Sequence, residues 1–170
     1  KEGLSLINGT SQMCAYLTCT VLNMETLSFA ADASIACSLE AIRGSHKPFD
    51  KRIHESRPQL GQSISAARIF ELVSNSEIML SHVDCDRVQD AYCFRCSPQV
   101  HGPVIDILRE VRRILEIEIN SATDNPLVFV EQDGSADFIS GGNFHGQNLS
   151  LASDSIAIAC HELASISERR

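Results

Sequence analysis

The stretch SQMCAYLTCTVLNMETLSFAADASIACSLEAIR, residues 11–43, decides the fold because it contains neither proline nor glycine. Its small and apolar residues recur at helical spacing, which predicts one long helix with a continuous apolar stripe. That stripe comprises Met13, Leu17, Val21, Met24, Leu27, Ala31, Ile35, Leu39 and Ile42. Gly44 follows at a position where a glycine commonly ends a helix.

The predicted helix is long for the chain that contains it. At a rise of about 1.5 Å per residue it extends roughly 50 Å. A compact globule of 170 residues is only about 40 Å across. We therefore expect the helix to pack against sequence outside this chain or against other subunits.

Four more helices are predicted by apolar periodicity, over residues 62–73, 77–95, 104–119 and 149–168. Ser97-Pro98 is expected to end the second of these, because the residue before a proline avoids helical dihedrals. Residues 45–62 contain two prolines and clustered charge, which indicates an exposed connection with one short helical turn. Turn residues on either side of two short apolar runs predict a β-hairpin near 127–140. The predicted class is therefore mainly α, in a single segment 1–170.

The composition of the chain disfavours several classes of binding partner and location. The chain carries 14 Lys and Arg against 22 Asp and Glu, a formal net charge of −8, which disfavours nucleic acids and anionic membranes as partners. No apolar run approaches the roughly 20 residues of a membrane span, and no cleavable signal pattern opens the chain. We therefore expect a cytoplasmic protein. The opening KEGL, without methionine, indicates a fragment of a longer one.

Gln89, Tyr92 and Arg95 form the most informative polar cluster. Their spacing of three predicts that they share one face of a helix, within an arc of about 120°. An amide, a phenol and a guanidinium converging there could bind a carboxylate, because arginine offers a bidentate fork and tyrosine can orient a proton. The alternative is an exposed helix end whose arginine complements the helix dipole.

Two glycine-containing stretches are also candidates. In GGNFHG, residues 141–146, three glycines surround Asn143, Phe144 and His145 next to a helix start, which indicates unusual backbone dihedrals. In LINGT, residues 6–10, Asn8 lies in a tight turn before the long helix. The alternatives are a plain hairpin-to-helix connection for the first and a local Asx turn that caps the helix for the second.

The seven cysteines raise the possibility of a zinc or thiol-redox site. Cys93 and Cys96 form one C-x-x-C pair, with Cys85 and His101 nearby. However, no second C-x-x-C pair exists, and the pair lacks the strand-then-helix context of a thioredoxin site. Most cysteines lie in apolar helical stretches, as buried thiols do, which favours a reducing compartment and no metal.

Taken together and in this order, these clusters resemble the aromatic amino acid ammonia-lyase family. The resemblance rests on KEGLSLINGT at 1–10, RVQDAYCFRCSPQVHG at 87–102, NSATDNPLVF at 120–129, ISGGNFHGQ at 139–147 and the closing ISERR. It extends over the whole chain but over only a central part of a family member. It implies a long-helix bundle of the ammonia-lyase and fumarase-like type.

The resemblance also implies an activity, the elimination of ammonia from an aromatic L-amino acid to give an α,β-unsaturated acid. The family's electrophile is a methylidene-imidazolone (MIO), formed autocatalytically from an Ala-Ser-Gly tripeptide. No Ala-Ser-Gly occurs in this chain. In the family the tripeptide and the tyrosine base lie upstream, and an acidic pocket residue lies downstream. We therefore expect these 170 residues to be inactive in isolation.

Five residues take roles by their positions in the family motifs. Asn8 would orient the substrate amine or the electrophile's oxygen, and Arg95 would clamp the substrate carboxylate. Gln89 and Tyr92 would complete the polar network, Tyr92 assisting proton transfer, and Phe144 would form an apolar wall. Family members are homotetramers whose sites combine residues from several subunits.

The motifs favour L-histidine as the substrate and urocanate as the product. A tyrosine or phenylalanine lyase or aminomutase of the same family is the nearest alternative. An alternative of another class is a helical fragment that only oligomerises.

Overall fold

The computed structural model describes residues 2–84 and 87–170, and its architecture is mainly helical. The elements, in chain order, are α1 (Glu2–Ile7), α2 (Ser11–Ala41), a 3-10 helix (Lys47–Phe49), α3 (Lys51–Glu55), α4 (Leu60–Val73), α5 (Glu77–Leu80), α6 (Tyr92–Arg95), α7 (Ser97–Ile119), β1 (Leu127–Val130), β2 (Ala136–Ile139) and α8 (Gln147–Glu168). The helices predicted at 11–43, 62–73, 104–119 and 149–168 and the hairpin near 127–140 are confirmed. Within the described residues, no helix is both long and apolar enough to cross a bilayer.

The C-terminus of α2 closes in a Schellman motif, in which the residue after the helix cap is left-handed. Arg43 takes that conformation, with φ of +51°. Its N–H bonds the Glu40 carbonyl at 3.0 Å, and the N–H of Gly44 bonds the Leu39 carbonyl at 2.7 Å. Gly44 is packed closely, since a Cβ there would lie 2.7 Å from Leu39 Cδ2 and 3.3 Å from Asp90 Oδ2.

The buried stripe of α2 includes two polar residues that apolar periodicity passes over. Met13 and Leu27 are 45% and 51% exposed, whereas Leu17, Val21 and Met24 between them are buried. The buried residues are Cys14, Leu17, Val21, Met24, Ser28, Asp32, Ile35, Ala36 and Leu39. Ser28 and Asp32 occupy the positions that a search for apolar residues assigns to Leu27 and Ala31. Asp32 is a core residue because partners on other helices bind it, whereas Ser28 Oγ is buried without a hydrogen-bond partner among the described residues.

Helices α2 and α7 run antiparallel, as side-chain contacts along them show. These contacts are Thr10 with Glu118, Glu25 with Arg112 and Asp32 with His101. One apolar cluster joins the first half of α2 to α7 and α8: Cys14, Leu17, Val21, Met24, Val104, Leu108, Val111, Leu115, Leu149, Ala152, Ile156, Ala159 and Leu163. A second joins the other half of α2 to the segments from the 3-10 helix to α6: Ile35, Ala36, Leu39, Phe49, Ile69, Val73, Met79 and Phe94.

A buried polar contact ties α2, α4 and α7 together through the Asp32 carboxylate. Asp32 Oδ1 accepts from Ser65 Oγ at 2.6 Å and from His101 Nδ1 at 2.8 Å. Arg68 approaches Asp32 Oδ2 at 3.4 Å from the rim. Asp32 and His101 are fully buried. A carboxylate this deep is tolerated only with such partners, so the three helices are locked in register.

Two glycines allow α4 and α7 to approach backbone to backbone. A Cβ on Gly61 would collide with the carbonyl oxygen of Gly102, and a Cβ on Gly102 would collide with the backbone of Gln62. The N–H of Gly61 also donates to Asp106 Oδ1 at 2.9 Å. The crossing of α4 and α7 therefore depends on the absence of side chains at both positions.

Two sequence predictions are wrong. Residues 45–62 do not form a wholly exposed connection, because Phe49 and His54 are buried, and His54 hydrogen-bonds Pro48 and Gln62. The single helix predicted over residues 77–95 is broken into α5 and α6, with no regular structure at 87–91. Buried Asp90 breaks it by binding the chain after α2, a tertiary contact that outweighs helix propensity.

We predict that Gly102→Ala lowers the free energy of unfolding of the full-length protein by at least about 2 kcal/mol, because the new methyl group meets backbone that cannot yield. Gly3→Ala is the matched control, since a Cβ on helical Gly3 meets nothing within 4 Å. It should be neutral or stabilise by up to about 1 kcal/mol. Urea unfolding measures both, and equal effects would contradict the close approach of α4 and α7.

We also predict that the isolated 170-residue chain self-associates. Large apolar side chains stand at the surface of the long helices: Tyr16, Leu22, Leu27, Phe29, Leu151 and Ile158 are 70%, 52%, 51%, 52%, 59% and 64% exposed. Exposed apolar area on this scale favours association or aggregation. Size-exclusion chromatography with light scattering tests this. A monodisperse monomer with a sharp cooperative melt would contradict it.

Candidate active site

Asn8 lies in the turn between α1 and α2, where it contacts the segment that follows α7. Its Nδ2 donates to Asp124 Oδ1 at 2.8 Å. Gly9, the next residue, has φ of +87°, and a Cβ there would collide with the carbonyl oxygen of Thr123. Only glycine fits this left-handed conformation and this close approach. The Asn8 turn is therefore held directly against residues 123–124.

The glycine-rich loop that carries Phe144 is bound to the same segment. Asn125 Oδ1 accepts from Ser140 Oγ at 3.0 Å and from the N–H of Gly141 at 2.8 Å. Phe144 is 45% exposed, so much of its ring is available for contact. The motifs at 1–10, 120–129 and 139–147 thus meet here. We call Asn8, Asp124, Asn125 and Phe144 the Asn8 half-site.

Gln89 lies in an irregular segment that is fastened to the end of α2. Arg87 Nη1 donates to the Ile42 carbonyl at 3.2 Å. Asp90 is 6% exposed, and its Oδ2 accepts from the N–H of Ser45 at 2.6 Å. These two contacts flank Gln89 and fix the backbone from which its exposed side chain projects.

Tyr92 and Arg95 lie on the short helix α6. The Arg95 guanidinium carbon is 4.6 Å from the centre of the Tyr92 ring, a cation–π contact that holds the two groups together. Tyr92 is 71% exposed. Within the described residues, Arg95 Nε and Gln99 Oε1 are buried without a hydrogen-bond partner. The Arg95 Nε–H is therefore not committed to a protein acceptor within the described residues.

Gln89, Arg95 and Gln99 line one cavity of about 380 Å³. The prediction that Gln89 shares a helical face with Tyr92 and Arg95 is wrong, because Gln89 precedes the start of α6. Gln89 and Arg95 nevertheless both line this cavity, and Tyr92 joins them through its contact with Arg95. We call Gln89, Tyr92 and Arg95 the Arg95 half-site.

Helix α7 separates the two half-sites. It spans Ser97–Ile119, 23 residues, and is therefore about 33 Å long. Arg95 lies just before its first residue, whereas Asp124 and the groups bound to it lie just beyond its last. One chain therefore does not bring Asn8 and Phe144 together with Gln89, Tyr92 and Arg95.

The described cysteines do not assemble a metal site. Across residues 2–84 and 87–170, no group of three or more His, Cys, Asp or Glu side chains is placed to hold a metal ion. His101 is bound to Asp32 in the core, and Cys85 lies outside the described residues. Cys93 and Cys96 line a groove against α8 instead.

The expected burial of the thiols holds for only one of the described cysteines. All six are free: Cys14 is buried, Cys19 and Cys37 are exposed, and Cys93, Cys96 and Cys160 are intermediate. Burial raises the pKa of the Cys14 thiol, and the nearby Glu118 carboxylate raises it further. Cys14 is therefore a core residue rather than a reactive thiolate.

Local sequence patterns did not identify the carboxylates and the amide that hold both half-sites. Asp90 lies inside the RVQDAY motif, and Asp124 and Asn125 lie inside a predicted turn. These residue types are typical of turns. The partners of Asp90, Asp124 and Asn125 lie, respectively, 45, 116 and up to 16 residues away along the chain. Local spacing could not identify these partners.

Comparison with known proteins gives consistent matches over the whole chain. Residues 1–170 match the family model for aromatic amino acid lyase. Histidine ammonia-lyase of Myxococcus xanthus is 51% identical over 170 residues, which is all of this chain and 33% of that protein. Histidine ammonia-lyase of Stigmatella aurantiaca is 53% identical, again over all of this chain and 33% of the relative. The chain thus spans about a third of the length of these curated relatives.

Solved structures agree with the sequence matches. The crystal structure of histidine ammonia-lyase from Trypanosoma cruzi has a TM-score of 0.83 at 42% identity, over 99% of this chain and 30% of that one. Tyrosine aminomutase from Streptomyces globisporus has a TM-score of 0.88 at 37% identity, over 99% of this chain and 35% of that one. Both similarities include the helical bundle and the hairpin.

We predict that Asp90→Ala lowers the free energy of unfolding of the full-length protein by about 1–3 kcal/mol, because the part-buried N–H of Ser45 loses its charged acceptor. The control is Asp137→Ala on the exposed strand β2, expected to change stability by less than about 0.5 kcal/mol. Denaturant unfolding measures both variants. An Asp90→Ala protein as stable as the wild type would show that this bond does not hold the Gln89 segment.

Proposed function

Because the chain belongs to the aromatic amino acid lyase family, we propose that its parent protein eliminates ammonia from an aromatic L-amino acid. L-histidine is the proposed substrate and urocanate the product, in histidine degradation. The observation that carries this proposal is the Arg95 half-site, where a guanidinium with a free buried donor shares a cavity with an amide and stacks on a phenol. Identities near 50% to histidine ammonia-lyases support the choice of substrate.

In this proposal the chain binds and orients the substrate, and the MIO group comes from another part of the full-length protein. That group, when formed, supplies an electrophile that activates the substrate for loss of ammonia. The Asn8 half-site suits a polar group of this kind, because the Asn8 side chain is exposed and only its Nδ2 is engaged by Asp124 among the described residues. The Asn8 carbonyl oxygen and second N–H can then contact the substrate ammonium or the electrophile's oxygen.

At the Arg95 half-site the substrate carboxylate is proposed to bind Arg95. A guanidinium pairs with a carboxylate through two parallel N–H bonds, which fixes both the position and the plane of the carboxylate. Gln89 adds an amide on the same cavity. The Tyr92 hydroxyl holds or transfers a proton near the reacting carbon, while its ring stays against Arg95.

Phe144 is proposed to pack against the aromatic ring of the substrate. Its partly exposed ring stands on a loop that Asn125 holds at two points. An apolar wall there would exclude water from the reacting groups and strengthen the electrostatic contacts around them. The loop is suited to this role because its position is fixed by hydrogen bonds.

We further propose that the parent protein is a cytoplasmic homotetramer and that this chain is one central segment of it. About 33 Å of helix lies between the half-sites, so the Asn8 half-site of one subunit would meet the Arg95 half-site of another. The exposed apolar faces of α2 and α8 provide surface for such packing. The free thiols are consistent with a reducing compartment.

A tyrosine lyase or aminomutase is the second candidate, favoured by the TM-score of 0.88 to tyrosine aminomutase. We predict that the full-length protein releases ammonia from L-histidine faster than from L-tyrosine or L-phenylalanine, and that the isolated 170 residues release none. Ultraviolet absorbance of the unsaturated acid and an ammonia assay measure this. A β-amino acid product would indicate an aminomutase, and no turnover of any of the three would show that the proposal is wrong.

We predict different kinetic effects for two substitutions in the full-length enzyme. Arg95→Ala should raise KM by roughly 10- to 100-fold, because a charge-assisted bond to the carboxylate is lost. Tyr92→Phe should lower kcat by about 100-fold or more while leaving the melting temperature nearly unchanged, because only the hydroxyl is removed. Arg113→Ala is the control, since exposed Arg113 pairs with Glu110 on the outer face of α7. Wild-type kinetics for Arg95→Ala and Tyr92→Phe would contradict these roles.

A further inference from the structure

The Asn8–Asp124 hydrogen bond joins residues 116 positions apart at an exposed site, between the exposed Asn8 amide and the half-buried Asp124 carboxylate. A carboxylate can only accept, so Asp124 selects the Nδ2 side of the amide and rejects its oxygen. An amide without such a partner can flip, exchanging its donor and acceptor sides. The Asp124 contact therefore determines which atoms of Asn8 face outward.

Asp124 is itself held in place from two sides. The N–H of Asn125 donates to the same Oδ1 atom at 2.7 Å. The adjoining backbone is packed against Gly9, where no side chain fits beside Thr123. The carboxylate thus has little freedom to move away from Asn8, and the bond is part of a prearranged unit.

We propose that Asp124 is the positioning residue for Asn8, and that it presents the Asn8 carbonyl oxygen as an acceptor for the substrate's ammonium group. This rests on the proposed lyase function. Donation of Nδ2 to a carboxylate also polarises the amide and makes its oxygen a stronger acceptor. Asp124 does not touch the substrate; it acts through Asn8.

The alternative role for Asp124 is that of a turn former, since it also binds its neighbour's N–H. The two roles differ in how they depend on Asn8. A turn former affects activity whether or not the Asn8 amide is present, whereas a positioning residue has nothing to position once that amide is removed. A double-mutant cycle separates the two.

The experiment measures kcat and KM in the full-length enzyme for Asn8→Ala, Asp124→Ala, the double variant and the conservative Asp124→Asn. Asp124→Ala should lower kcat about 100-fold, because a misplaced orienting group has an effect of this size. In the Asn8→Ala background the same change should lower kcat by less than about 3-fold. Asp124→Asn should recover kcat to within about 10-fold of wild type, because its amide oxygen still accepts.

Asp133→Ala is the matched control, because Asp133 accepts from Ser135 in the hairpin turn and has no contact with Asn8. It should leave kcat unchanged. If the kcat losses of Asn8→Ala and Asp124→Ala multiply in the double variant, the proposal is overturned. It is also overturned if Asp124→Asn has a kcat as low as that of Asp124→Ala while the two variants melt at the same temperature.

Crystal structures of the wild-type and Asp124→Asn full-length proteins, with Asp124→Ala where it folds, test the positioning without relying on turnover. The positioning role is supported if the Asn8 amide is displaced or rotated in Asp124→Ala but keeps its wild-type placement in Asp124→Asn. An unchanged Asn8 in Asp124→Ala overturns it. If the wild type fails to release ammonia from any aromatic L-amino acid, the proposed function is wrong, and the placement of Asn8 still decides whether Asp124 positions it.

Discussion

The buried Asp32 carboxylate is the constraint on which the rest of the bundle depends. It is fully buried, so its charge is tolerated only where helices α4 and α7 supply donors from Ser65 and His101. Gly61 and Gly102 let the backbones of α4 and α7, the helices that carry these donors, touch. A buried polar contact of this kind forms in only one register of the helices, whereas the apolar clusters on either side could pack in several registers. The position of α7 along α2 is therefore set by a carboxylate and two glycines.

That register has consequences for both half-sites, because they lie beyond the two ends of α7. His101 is in the second turn of the helix, close to Arg95 in sequence, so the contact that fixes the core also fixes the end that presents the guanidinium. At the other end, Asp124 and Asn125 hold the Asn8 turn and the Phe144 loop. Loops and the short helix α6 carry the polar groups, and the stiff helix α7 sets the distance between them. The chain thus carries its two groups of proposed site residues beyond opposite ends of one helix.

Helical periodicity identified elements whose stability comes from their own apolar stripes. It correctly predicted the helix over 104–119, where Val104, Leu108, Val111 and Leu115 are buried at regular steps. It failed at 77–95, because buried Asp90 binds Ser45 and stabilises an irregular segment. It also missed Asp32 as a core residue. In both cases the deciding partner is a polar group far along the chain, which no local pattern contains.

The sequence by itself determined the helical class, the hairpin, the family resemblance and the identities of the five proposed site residues, because these depend on local periodicity and on contiguous motifs. Only the tertiary structure decided that the five residues form two groups at opposite ends of α7, and that Asp90, Asp124 and Asn125 hold them. Spacing along a chain does not give distance in space, since the path between two motifs depends on how the helices pack. Here that packing depends on partners for buried carboxylates, which only the assembled helices and loops provide.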